Sequence, residues 1–235
     1  MKNKRVKSSA KGKPFDVYSD NYDQILDNNL KFFTKDSSKF TNYKVEYLLS
    51  KNLSPTRILD FGCGNGKATN FLKQAFPQAE LWGCDISEKI IHAAKKKYPD
   101  VKFFSITKPE ELGFYSEEFD LIFVSCVLHH IAPQERLPWV ESLAKCLSFG
   151  GKITIFEHNP YNPLTRYCVS TCEFDNDAVL LSLGECKNLF VKELSHVSSQ
   201  YTLFFPWRTR IFQSIERSLI WLPLGGQYCV IFEKI

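Results

Sequence analysis

The chain has no run of 18 or more apolar residues, the length a membrane-crossing helix needs. It has no C-x-x-C pair among its eight cysteines. No apolar h-region follows its basic N-terminus, so a secretory leader is not expected there. These absences point to reduced thiols in a cytoplasmic protein rather than a disulfide framework. Cys168, Cys172 and Cys186 with His158 match no common zinc-ligand spacing and are read as unligated thiols, with no metal expected. Residues 1–14, MKNKRVKSSAKGKP, lack any acid. They hold six of the 30 Lys and Arg, so the remainder carries 24 basic against 26 acidic residues, a balance of −2. The net +4 therefore belongs to the tail, which reads as a disordered, solvated leader. Contact with nucleic acid or anionic lipid is the sharper alternative.

What is present is a globular composition, 44% apolar with 20 Phe and 10 Tyr over 235 residues. From residue 57 strands and helices alternate. Strands are expected at 57–63, 79–86, 101–106, 119–127 and 152–158, and helices at 66–76, 87–98 and 134–147. This order predicts an α/β, doubly wound, mostly parallel sheet. Beyond it, a helix near 177–190 and two strand-like segments, LSHVSSQYTLFF and QYCVIFEKI, complete the chain. Between those two segments, Ile211, Ile215 and Leu219 recur at spacing four and predict an amphipathic helix in an insert over 206–226. Residues 15–50 read as an N-terminal helical cap, and 51–235 as the main domain.

In RILDFGCGNGKATNFL, residues 57–72, a strand runs into Gly62, Gly64 and Gly66 and then a helix. Such a turn brings backbone close to a ligand. Asp60, just before it, would repel a pyrophosphate and suits an ammonium group. Asp85, at the end of the second strand, is placed to accept both hydroxyls of a ribose. A ligand with a ribose and a cationic amino-acid part, but no pyrophosphate, is S-adenosylmethionine (SAM).

ILDFGCGNG with GCDIS resembles the first two motifs of the class I SAM-dependent methyltransferases. FDLIFVSCVLHHI resembles their fourth-strand motif and LSFGGKITIFEHN their fifth. The resemblance covers about residues 57–159 and implies a Rossmann-like seven-stranded sheet with an antiparallel C-terminal strand. It further implies that Gly62, Cys63 and Gly64 back the methionine part, with Asp60 near its ammonium. Asp85 would then take the ribose, Ile86 would pack on adenine, and Ser125 and Cys126 would line the reactive face. Where the family often has an acid for the adenine amino group, this sequence has Ser105, Ile106 and Thr107, with Ile106 at the adenine position.

Methyl transfer needs a positioned acceptor, and for a hydroxyl also a base. His129 and His130 after strand four, and Glu157 and His158 after strand five, are the candidates. Glu157 and His158 are expected to face the pocket, and His130 divides evenly between a site-lining and a structural role. The Asn/Asp-Pro-Pro-aromatic run of nucleic-acid amino methyltransferases is missing after strand four. NPYNP at 159–163 follows strand five and is one Pro short. Nucleic acid is thus disfavoured, and the leading expectation is methylation, at oxygen, of a small-molecule, sugar or lipid-like acceptor. An RNA or protein methyltransferase and a non-catalytic SAM-fold module are the alternatives. Tyr18, Tyr22, Phe32 and Phe33 are expected in a lid. Trp207, Phe212 and Trp221 with Arg208, Arg210 and Arg217 suit a lipid-linked or aromatic acceptor or a peripheral membrane surface. Ordinary packing of the insert is favoured over that contact.

Overall fold

The computed structural model describes residues 37–205 and 210–235. The basic tail, the lid aromatics Tyr18, Tyr22, Phe32 and Phe33, and Trp207 and Arg208 of the insert lie outside the described residues. In chain order the elements are α1 (Ser38–Leu49), β1 (Arg57–Phe61), α2 (Lys67–Ala75), β2 (Glu80–Asp85), α3 (Glu88–Lys97) and β3 (Lys102–Ser105). There follow β4 (Phe119–Ser125), α4 (Arg136–Cys146), β5 (Leu147–His158), α5 (Pro163–Thr171), α6 (Leu183–Phe190), β6 (Ser195–Thr202), α7 (Arg210–Leu219) and β7 (Gln227–Glu233).

The strands form one seven-stranded sheet in the order β3-β2-β1-β4-β5-β7-β6. β1 pairs in parallel with both β2 and β4, so the winding reverses direction beside β1. Ligands of such sheets sit at that switch point, at the strands' C-terminal ends. β7 runs antiparallel to β5 and to β6. β4 is near-continuously apolar because it is covered on both faces: Leu121 and Phe123 pack with α1 and α2, and Ile122 and Val124 with α4. α1 belongs to the first of these faces, burying Val45 and Leu48 against Leu72 and Phe156.

The segment after β5 departs from expectation. The helix expected at 177–190 forms only over Leu183–Phe190, where Ser182 and Glu185 make a reciprocal capping pair. A helix that the sequence reading did not expect, α5, occupies Pro163–Thr171. Asn162 caps it, its Oδ1 accepting from Leu164 N and Thr165 N at 2.9 Å each, with Pro163 at the first helical position. The NPYNP stretch is thus a helix start. Its first Asn, Asn159, is fully buried and donates to the carbonyls of Pro223 and Gly225, fastening the end of β5 to the loop before β7.

Candidate active site

A cavity of about 1420 Å³ opens at the C-terminal ends of β1, β2, β4 and β5. That exceeds the roughly 300–1,000 Å³ of an ordinary small-molecule pocket, giving room for two molecules side by side. Asp60, Gly62, Cys63, Gly64, Asp85, Ile86, Ile106, Ser125 and Cys126 all line it. The chain therefore brings together every residue that the sequence singled out for the cofactor.

At the glycine turn, Gly62 N and Cys63 N donate to Cys84 O at 2.8 and 2.9 Å. Gly62 has φ +74°, and a Cβ there would come within 2.4 Å of Val127 Cγ2, so no larger residue fits. Asp85 bridges the turn to α3. One carboxylate oxygen accepts from Gly64 N and the other from Ser87 N, both at 3.0 Å, while the side chain borders the cavity. Asp60 is buried and accepts from Thr69 Oγ1 at 2.6 Å. Burial pushes its carboxyl up, Thr69 partly offsets this and the nearby Asp85 adds to it, leaving it at about 7. A buried acid held that high is stabilised by an incoming cation. This donor set fits a ligand with an ammonium at Asp60 and hydroxyls at Asp85, which are features of SAM.

Lys44 on α1 was not anticipated. It is buried, and its Nζ donates to Ser125 Oγ at 2.8 Å and Cys126 Sγ at 3.3 Å. It shares a helix stripe with Val45 and Leu48, the buried residues of α1, and a lone Lys on an apolar stripe was the available signal. Cys126 itself has φ +58°, a conformation uncommon outside glycine. Gln227 Nε2 donates to its sulfur at 3.2 Å. Burial would raise the Cys126 thiol, but Lys44 and His158 outweigh it and bring it down to about 6. Cys168 lines the same cavity with its thiol raised by burial. At pH 7, Cys126 is therefore expected to be alkylated by iodoacetamide ahead of Cys168, and Lys44→Ala to weaken that preference, with His158 still beside the thiol. Peptide mass spectrometry of briefly labelled protein reads this, and equal labelling would contradict the assigned environment.

The expected catalytic residues divide. His158 and His130 line the cavity. Glu157 does not, which corrects the expectation that it faces the pocket. It is fully buried on the sheet face of Ile153 and Ile155. One carboxylate oxygen accepts from Val127 N at 2.9 Å and Leu128 N at 2.6 Å, and the other from His129 Nδ1 at 2.6 Å. Burial would raise Glu157, but His129 reverses this and holds it at about 2. A carboxylate so depressed and so fully partnered is no proton acceptor. It instead fixes the turn Leu128–His130 that follows β4. Burial would lower His129, but Glu157 and Asp175 hold it at about 10. Burial and the adjacent His129 push His130 down to about 4.

Asp175 completes this group from a short turn after α5, with Oδ1 3.5 Å from His129 Nε2 and 3.4 Å from His130 Nε2. The sequence reading missed it, because 46 residues separate it from His129. Two links hold the segments together. Val179 N donates to His129 O at 2.8 Å, and Arg136 donates to the carbonyls of Leu128, Ile131 and Val179.

A family model described as "Methyltransferase domain" matches residues 58–151. Trans-aconitate 2-methyltransferase of Acidovorax sp. (strain JS42) is 28% identical over 202 residues, covering 80% of this chain and 75% of its own. Demethylmenaquinone methyltransferase of Thermotoga maritima is 29% identical over 148 residues, covering 63% and 61%. A crystal structure of a SAM-dependent methyltransferase of T. maritima, described as a possible histamine N-methyltransferase, superposes with TM-score 0.67 at 18% identity. It covers 94% of this chain and 98% of that one, and the likeness is one of fold. Among the described residues, no helix is long and apolar enough to cross a membrane.

Proposed function

The chain belongs to the class I SAM-dependent methyltransferases, and from that premise we propose that it methylates a small acceptor at oxygen. The observation that carries the proposal is a single cavity with two differently equipped sides. Asp60, Gly62, Gly64 and Asp85 stand on one, and His130, His158 and Gln227 on the other. SAM supplies an activated methyl group. On this reading Asp60 receives its ammonium, Asp85 its ribose hydroxyls, and Lys44, beside Ser125, its carboxylate. Ile86 and Ile106 pack on adenine.

The acceptor side then belongs to His158, an imidazole at the end of β5 that lines the cavity with Gln227 Nε2 3.5 Å from its Nδ1. It serves as the base that takes the acceptor's proton, in place of the buried Glu157. Gln227 Oε1 is buried with no hydrogen-bond partner among the described residues, and it suits an acceptor hydroxyl. The relatives named for trans-aconitate and demethylmenaquinone support a small acceptor. Leu164 of the cavity wall is exposed, as is Leu224, whose carbonyl accepts from Asn162 Nδ2, and these apolar groups keep a lipid-like acceptor within this class.

The test is methyl transfer from labelled SAM into a fractionated cell extract. Label is expected in the low-mass or lipid fraction, and label confined to RNA or protein would overturn the proposal. For the cofactor side, Asp85→Ala removes the two charge-assisted hydrogen bonds proposed to the ribose, each on the order of 1.5–3 kcal/mol, together with the acceptor for Gly64 N and Ser87 N. SAM affinity by calorimetry is expected to fall at least tenfold with the fold retained. Unchanged affinity would place the ribose elsewhere.

A further inference from the structure

We propose that His129, His130 and Asp175 form a divalent metal site of the zinc type on the wall of the cavity, its open side turned to the acceptor. The sequence reading expected no metal, because it sought ligands among the cysteines. The three side chains come instead from the turn after β4 and the turn after α5, and all three line the cavity. One ligand atom from each lies within 4.8 Å of the others.

Three observations carry the assignment. First, two of the three spacings are those of ligands around an ion, and the third is within 4.8 Å. Donors about 2.1 Å from a tetrahedral ion stand about 3.4 Å from each other. The two His Nε2 atoms lie 3.5 and 3.4 Å from Asp175 Oδ1, beyond the roughly 2.9 Å at which an N–H donor settles on oxygen. Second, the support is in place. Metal-binding imidazoles commonly donate their other nitrogen to a carboxylate, and His129 Nδ1 does so to buried Glu157 at 2.6 Å. That leaves Nε2 directed at the cluster. Third, the frame is rigid. Arg136 and the Val179–His129 backbone bond hold the two turns against each other, and Cys172 O accepts from Asp175 N at 3.1 Å.

Two imidazoles and a carboxylate leave a coordination position open, as in catalytic rather than structural zinc sites. Here the vacant side would face the cavity, where a hydroxyl or carboxylate oxygen of the acceptor is the fitting donor. This part rests on the acceptor-side reading above, whereas metal binding itself does not.

The experiment uses the full chain stripped with a chelator and titrated with Co²⁺, whose visible absorption reports low-coordinate nitrogen and oxygen ligation. SAM binding is followed in parallel by calorimetry. One equivalent of Co²⁺ is expected, displaced by Zn²⁺, with affinity at least tenfold weaker in both Asp175→Ala and His130→Ala. These two sites are only partly buried, and retained SAM binding certifies the fold. Cys168→Ser should leave the titration unchanged. Absence of stoichiometric Co²⁺ in the wild type, binding indifferent to both ligand variants, or binding lost with Cys168 would each overturn the site. None of these results bears on whether SAM binds, so failure of the metal site and failure of the methyltransferase reading separate cleanly.

Discussion

Glu157→Ala is expected to destabilise the metal-free protein by about 3–5 kcal/mol, the usual consequence of stripping one partner from a buried ion pair. Three donors converge on this carboxylate: Val127 N, Leu128 N and His129 Nδ1. Alanine leaves all three buried without an acceptor. Glu157→Gln should cost far less. Its amide oxygen can still accept from the two backbone N–H groups, and His129 can turn neutral and accept from the new amide. Urea unfolding at pH 7 in the presence of a chelator measures both.

The same pair sets a pH dependence. Glu157 is lowered to about 2 in the fold from 4.5, so its contribution is complete above about 4.5 and is lost as pH falls through 2. His129 is raised to about 10 from 6.5, so its contribution is complete below about 6.5 and is lost as pH rises through 10. In Glu157→Gln the acid limb should be absent and the alkaline limb reduced, since Asp175 still faces His129. An alanine variant as stable as wild type would show that the buried pair contributes nothing.

The glycine turn and Asp85 were legible because local geometry demands them. A backbone that turns at φ +74° against Val127 accepts only glycine, and an acid closing β2 has a fixed place over the turn. The sheet was legible because its apolar runs match strands covered on both faces. Glu157 was misplaced although a signal existed. It shares the parity of Ile153 and Ile155 on one face of the sheet, whereas His158 shares that of Phe156 on the other. The position of strand five beside strand four brings both residues near the acceptor side, but alternation sends their side chains to opposite faces, and only His158 reaches the cavity. Asp175 was not legible, because CEFDNDAVLL carries no period that would bring it back to the end of β4. Only tertiary packing, through Arg136 and Val179, closes that distance. Lys44 lies between these cases, visible as a break in an apolar stripe but with no indication of which strand it would meet.

Asp60→Asn is expected to weaken SAM binding and stabilise the ligand-free protein together. Asp60 sits at the end of β1 with Thr69 Oγ1 at 2.6 Å, and burial is the main cause of its rise from 3.8 to about 7. A carboxyl raised in the fold contributes fully below about 3.8, and that contribution is lost as pH rises through 7. At pH 8 the ligand-free protein therefore carries a buried, poorly compensated charge. Removing that charge should raise stability by up to about 4 kcal/mol, since each tenfold change in a proton equilibrium corresponds to about 1.4 kcal/mol. Asparagine keeps an oxygen for Thr69, so the packing survives. The same change deletes the carboxylate proposed to receive the methionine ammonium. Affinity should fall roughly tenfold to a hundredfold, since a hydrogen bond to a charged group contributes about 1.5–3 kcal/mol. In the wild type only the ionised acid attracts that ammonium, so SAM affinity should increase as pH rises through about 7, and in Asp60→Asn it should stay flat. Calorimetric titrations across that range, paired with thermal unfolding at pH 8, test both halves. A variant that gains stability but binds SAM at full strength would leave Asp60 as a buried acid of the core and move the ammonium to another partner.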